Sequence, residues 1–214
     1  MKKSAFLNSL VLILCATACA EDPPQFAVDC EIQTRESGIS HFVLFACDFS
    51  FDAAVTGCGT VGAITDYTSW EQGIACGKIS LSPEGYGAKP LSTFTTERIS
   101  ACKPEQIIGE THAMNFISKA VDNTNLTDCT YWNSLRSNWS KYTIGYIGCD
   151  GLWYGKSSTE PGFAFTLAGL GSVKEDNNDV ADRYEANFTW KHSGLVCPIN
   201  IPNLMDAFKT EVVS

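Results

Sequence analysis

Apolar and polar residues alternate along several short stretches of the chain, with glycine-rich turns between them. Phe163, Phe165 and Leu167 occupy alternate positions, the period of a strand with one buried face. Runs rich in β-branched and aromatic residues at 27–34, 41–51, 73–81, 93–102, 142–148, 162–167 and 184–190 predict strands. Alternation favours antiparallel pairing, because parallel strands buried on both faces read as continuous apolar runs. No regular strand-helix repeat points to a doubly wound sheet.

Helical spacing recurs in three places. Ala113, Met114, Phe116, Ile117, Ala120 and Val121 fall within one arc at about 100° per residue, which predicts a helix over 110–122. Trp132, Leu135 and Trp139 predict a second over 129–139. A short C-terminal helix is expected after Asn203, which would cap it, with Leu204, Met205, Phe208 and Val212 on one face. The expected fold class is therefore α+β: a mainly antiparallel sheet with two or three packed helices, stabilised by disulfides. Residues 175–182 are polar and nearly free of apolar side chains, the composition of an exposed tip.

The N-terminus changes the setting of that domain. Lys2 and Lys3 precede an apolar stretch from Leu7 to Cys15, and Ala18-Cys19-Ala20 follows as a small-residue cleavage site. Residues 1–20 thus read as a secretory signal peptide and 21–214 as a single extracellular domain. The apolar stretch is about 10 residues long, against the roughly 20 that a spanning helix needs. Cleavage before Cys19, with acylation of that residue, is the alternative that Ala16-Thr17-Ala18-Cys19 offers, but the leucine of that pattern is missing. Later segments are too short or too polar to span a bilayer, so a secreted protein without a membrane span is expected.

Removing the signal takes Lys and Arg from 15 to 13 against 24 Asp and Glu, and the net charge from -9 to -11. Without a basic stripe, nucleic acid is not expected as the main partner. Eight cysteines remain after cleavage: Cys30, Cys47, Cys58, Cys76, Cys102, Cys129, Cys149 and Cys197. An even set in an exported chain reads as a framework of four disulfide bonds. Neighbours in this set stand more than ten residues apart, and no C-x-x-C pair starts a zinc site, so no metal or cofactor is expected. Asn125, Asn138 and Asn187 head glycosylation sequons, which mark a glycoprotein if the source is eukaryotic.

Candidate chemistry is sparse. Histidine occurs only at 41, 112 and 192. Glu110 and His112 would point about 160° apart on the expected helix, which separates their side chains. Asp176, Asn178, Asp179 and Asp182 suggest calcium, but Val180 and Ala181 stand where that loop needs a ligand and a glycine. Neither G-x-S-x-G nor H-E-x-x-H is present.

Two segments carry a resemblance: Cys149-Asp150-Gly151-Leu152-Trp153-Tyr154, and Trp190-Lys191-His192-Ser193-Gly194-Leu195-Val196-Cys197. They resemble the blocks H-G-L-W-P and W-x-K-H-G-x-C of the T2 ribonuclease family. That resemblance implies a secreted, disulfide-bonded α+β enzyme in which a histidine of each block serves as base or acid. His192 would match the second histidine and Lys191 its basic neighbour. Asp150 stands where the first block has histidine, and Ser193 separates His192 from Gly194. An aspartate titrates near about 4 and would repel a phosphodiester. The expected function is accordingly a non-catalytic interaction or ligand-binding protein for an extracellular protein or glycan. Its binding surface would be made by loops and exposed aromatics; Tyr131, Trp132, Trp139, Trp153 and Tyr154 have a composition suited to such contacts, but packing in the core is the favoured reading for them. A secreted hydrolase using His192, Lys191 and Asp150 is the alternative.

Overall fold

The computed structural model describes residues 38–98, 105–118, 126–156, 159–173 and 183–208. The chain divides into two compact units, residues 35–95 with 107–214, and residues 1–34 with 96–106. The second has few described residues; in it the Thr96 hydroxyl donates to the Glu105 carboxylate at 3.1 Å. The signal region, Cys30, Cys102, Asn125, the strand expected at 27–34 and the tip at 175–182 lie outside the described residues.

Strand accounts for 48% of the described residues against 18% helix, and six antiparallel strands close into a barrel, which overturns the α+β expectation. The staves are β1 (Ile39–Ala46), β5 (Gly85–Ala88), β7 (Gln106–Ser118), β8 (Tyr142–Gly148), β10 (Phe163–Val173) and β11 (Arg183–Lys191). Their order around the ring is β1, β8, β10, β11, β7, β5, and the Ile39–Gly87 pairing of β1 with β5 closes it. Short strands extend the sheet: β4 (Ile79–Leu81) beside β1, β6 (Thr93–Glu97) beside β7, β9 (Trp153–Tyr154) beside β8, and β12 (Pro198–Ile199) beside β9. A separate hairpin joins β2 (Ala53–Val55) to β3 (Gly59–Val61).

Strand β7 explains most of the error in fold class, since the helix expected over 110–122 is in fact this strand. Its positions 110, 112, 114, 116 and 118 are all buried. Their period of two was hidden because Glu110, His112 and Ser118 are polar, leaving the apolar residues to mimic a helical arc. Residues 73–77 complete a helix and turn, and of the strand expected at 73–81 only Ile79–Leu81 forms. That helix, α1 (Tyr67–Ala75), starts where the Asp66 carboxylate accepts the Thr68 amide, and it buries Trp70 and Ile74 one turn apart. The helix expected at 129–139 is present as α2 (Leu126–Asn138), followed by a 3-10 turn at Trp139–Lys141. The C-terminal helix is reduced to one turn, Leu204–Ala207, and Asn203 before it has φ 61° with no side-chain cap.

Two cores result from strands buried on both faces. Inside the barrel, Phe42 and Leu44 of β1 meet Met114, Phe116, Ile144, Phe163, Phe165, Phe188 and Trp190. Trp132 of α2 plugs one end, 5.9 Å from the Phe42 ring and stacked 5.6 Å from Tyr184. On the other side of β1 and β8, Val43, Phe45 and Ile147 pack with Trp70, Trp153 and Phe51. Gly145 is required at this junction: a Cβ there would stand 2.0 Å from the Trp153 ring. The second core is tied by the Cys58–Cys76 disulfide.

Candidate functional site

The barrel end opposite the α2 plug is formed by β7, the start of β10 and the chain leaving β11. Strand pairing places Trp190 directly across from His112, and their rings stack at 5.6 Å with a 9° interplanar angle. Phe163 lies 5.7 Å from Trp190 and 4.9 Å from the His192 ring. Aromatic rings therefore floor the mouth of the barrel.

Above that floor, Glu110 organises the chain leaving β11. Residues 110 and 112 share a face on a strand, contrary to the separation expected on a helix, and Glu110 Oε1 lies 3.4 Å from His112 Nε2. The Glu110 backbone carbonyl accepts the His192 amide at 3.3 Å. Its Oε2 accepts the Gly194 amide at 3.0 Å. His112 Nε2 lies 3.1 Å from the His192 carbonyl oxygen. With acceptors on both sides, Nε2 is the atom that bears the hydrogen. His112 is 0% exposed and Glu110 8%, so this polar cluster is a buried latch on residues 192–194. Gly194, with φ +93°, supplies a backbone conformation that other residues rarely adopt.

The charges follow from these contacts. A hydrogen bond from Ser92 is the main influence holding the Glu110 carboxyl below the usual carboxylate range, with the Gly194 amide, His112 and Lys89 acting in the same direction. The His192 imidazole is pushed down by burial first, then by His112, Lys156 and Lys89. Because the Glu110 pKa is lowered, its hold on Gly194 is complete above the usual carboxylate range and is lost as pH falls through that lowered value. Hydrogen exchange should therefore find the Gly194 amide protected at neutral pH and exposed in Glu110→Ala, with Phe188 protected in both. Equal protection of Gly194 in the two proteins would refute the latch.

Residues 193–195 wall an open pocket of about 430 Å³, completed by Phe94, Ile107, Ile108, Gly109 and Glu110. Behind Leu195, a second pocket of about 420 Å³ holds Lys156, His192, Val196 and Cys197. Leu195 is 83% exposed and stands between the two.

The other residues singled out in the sequence are dispersed. Asp150 completes the turn from β8 to β9, accepting the Leu152 amide at 3.1 Å and the Tyr154 hydroxyl at 3.0 Å. The groups that bear electrostatically on His192 are His112, Lys156, Glu110 and Lys89, and Asp150 is not among them. Lys191 is exposed beside Thr111 and Trp190 on a shallow outer surface. Trp132 and Trp153 are buried in the two cores, and Trp139 is half-buried against Phe165, so these rings pack the protein. Asn138 donates to the Ser134 carbonyl and accepts from Lys141 at the end of α2. Asn187 is half-buried in the middle of β11. Beyond the Cys58–Cys76 bond, Cys47, Cys129, Cys149 and Cys197 are exposed and unbonded. Among the described residues, no group of three or more His, Cys, Asp or Glu side chains could hold a metal ion, and no helix is long and apolar enough to cross a membrane.

Sequence reasoning missed Phe94, Ile107, Ile108 and Leu195. The available signal was Ile107-Ile108 lying between Glu105 and Glu110, an apolar pair in a polar stretch. No protein-family model, curated protein or solved structure matches this chain.

Proposed function

We propose that this is an exported, disulfide-bonded ligand-binding protein that works without catalysis, and that the barrel mouth is its binding surface. One observation carries the proposal: of the six large hydrophobic side chains exposed among the described residues, four line the same pocket. Phe94 is 55% exposed, Ile107 60% and Ile108 54%. Leaving such side chains in water forgoes about 1.5–3 kcal/mol each, so their convergence favours a surface that becomes covered. The pocket's volume falls within the roughly 300–1,000 Å³ of small-ligand sites.

Export is supported by the Lys2-Lys3 start, the apolar stretch and the small-residue site at 18–20. The Cys58–Cys76 bond is compatible with an oxidising compartment. Recovery from the medium of a chain beginning at Glu21 is the expected result, and a cell-retained chain beginning at Met1 would count against it.

A hydrolase is the second reading, favoured by the half-buried His192 sharing a cleft with Lys156. Among the described residues, neither His112 nor Asp150 is available as the second acid or base, because His112 is buried with its Nε2 committed to the His192 carbonyl and Asp150 is committed to its own turn. Acid-base catalysis contributes roughly 100-fold to 10,000-fold only when a group within hydrogen-bond reach of substrate transfers the proton. The wild type should therefore cleave single-stranded RNA no faster than His192→Ala at pH 5 to 7. Cleavage abolished in both His192→Ala and Asp150→Asn, with each variant folded, would establish the hydrolase instead.

A further inference from the structure

The charged groups at the mouth are unequally satisfied. The Glu110 carboxylate already receives the Gly194 amide and Ser92, faces His112 Nε2, and has a side chain only 6% exposed. A ligand cation could reach it only by displacing residues 193–194. The two nearby ammonium groups lack comparable partners. Lys89 is half-buried and makes no hydrogen bond or ion pair among the described residues; its interaction there is the longer-range attraction of Glu110. Burial pushes its pKa down, and the attraction of the Glu110 carboxylate only partly offsets that loss of water. The carboxylate facing Lys156 is Glu160, at 4.0 Å and 79% exposed, a contact that contributes little in water. Lys89 and Lys156 both bear on the His192 imidazole, and Lys156 lies 6.0 Å from the centre of the Phe163 ring. Lys156 thus lines the pocket behind Leu195, and Lys89 acts on both Glu110 and His192, in a chain whose net charge is -9.

We propose that the mouth takes an amphipathic anion, an apolar molecule ending in a carboxylate, with its body on Phe94, Ile107, Ile108 and Leu195 and its head held by Lys89 and Lys156. This specificity rests on the mouth being the binding surface. The apolar body supplies contact area, and the charge-assisted hydrogen bonds to the head select among ligands of equal length. Glu110 supports the site by holding Leu195 in place. His192 lines the pocket beside Lys156 and offers the head a ring nitrogen for a hydrogen bond.

Isothermal titration calorimetry with decanoate, decan-1-ol and decylamine, each below its micellar concentration, separates the components. Decanoate should bind about tenfold more tightly than decan-1-ol, with decylamine weakest. The double variant Lys89→Gln/Lys156→Gln should bring decanoate down to the affinity of decan-1-ol. Both lysines are partly exposed, and an unchanged thermal melt would establish that the double variant is folded. Equal or tighter binding of decan-1-ol or decylamine, or undiminished decanoate binding by the double variant, would overturn the anion preference while leaving the mouth as the site. Failure of all three probes to bind the wild type would remove the mouth reading and this specificity with it.

Discussion

Phe42→Ala is expected to destabilise the protein by about 3–5 kcal/mol, the cost of emptying an aromatic site in a packed core. Phe42 is fully buried where three staves and the plug meet. Its ring lies 5.0 Å from Phe116, 4.9 Å from Phe188 and 5.9 Å from Trp132. Its amide also accepts no slack, since it donates to the Ser82 hydroxyl at 3.0 Å and fixes β1 beside the chain that follows β4. A domain's total stability is about 5–15 kcal/mol, so this loss consumes a large part of it. Phe42→Leu keeps most of the volume and should cost less than about 1.5 kcal/mol. Urea denaturation of the three proteins gives the comparison, and a loss below about 1 kcal/mol for Phe42→Ala would mean that the barrel interior is not the packed core described.

The second large effect is expected from the Cys58–Cys76 bond. It joins the β2–β3 hairpin to the end of α1 across a separation of 18 residues. By the chain-entropy account, closing a loop of this size contributes about 3 kcal/mol, mainly by restricting the unfolded chain. Local contacts share the same task, because Gln72 Nε2 donates to the carbonyls of Cys58 and Thr60. Cys58→Ser/Cys76→Ser should therefore lower the thermal midpoint by several degrees while leaving the folded near-ultraviolet spectrum unchanged. An unaltered midpoint would show that the hairpin is held by its packing against Trp70 and Ile74 without help from the bond.

Several strands were legible because their alternation was clean. Residues 142–148 form β8 as expected, and β11 extends the expected run 184–190 by one residue at each end. Barrel closure was not legible, because it depends on β1 finding β8 about a hundred residues later, with Phe42 opposite Tyr146, and local periodicity carries no such information. Strand β7 failed for a related reason: Glu110 and His112 at the mouth, and Ser118, which accepts the Tyr184 amide at the other end, are polar residues facing inward, and they disguised the pattern. The same misassignment separated Glu110 from His112, although the strand brings them together. His192 was singled out through a resemblance whose other member, Asp150, belongs to a different turn. Tyr67–Ala75 shows the opposite error, since Gly73 suggested the start of a strand and yet packs inside a helix, where a Cβ would stand 2.5 Å from Ile79.

Amide chemical-shift mapping with decanoate tests most directly whether the mouth is the binding surface. The account predicts concentration-dependent shifts concentrated at Ile107, Ile108, Glu110, Gly194 and Leu195, with Asp150 and the α1 residues unmoved. Shifts centred on any other surface, or none at all at millimolar decanoate, would contradict it.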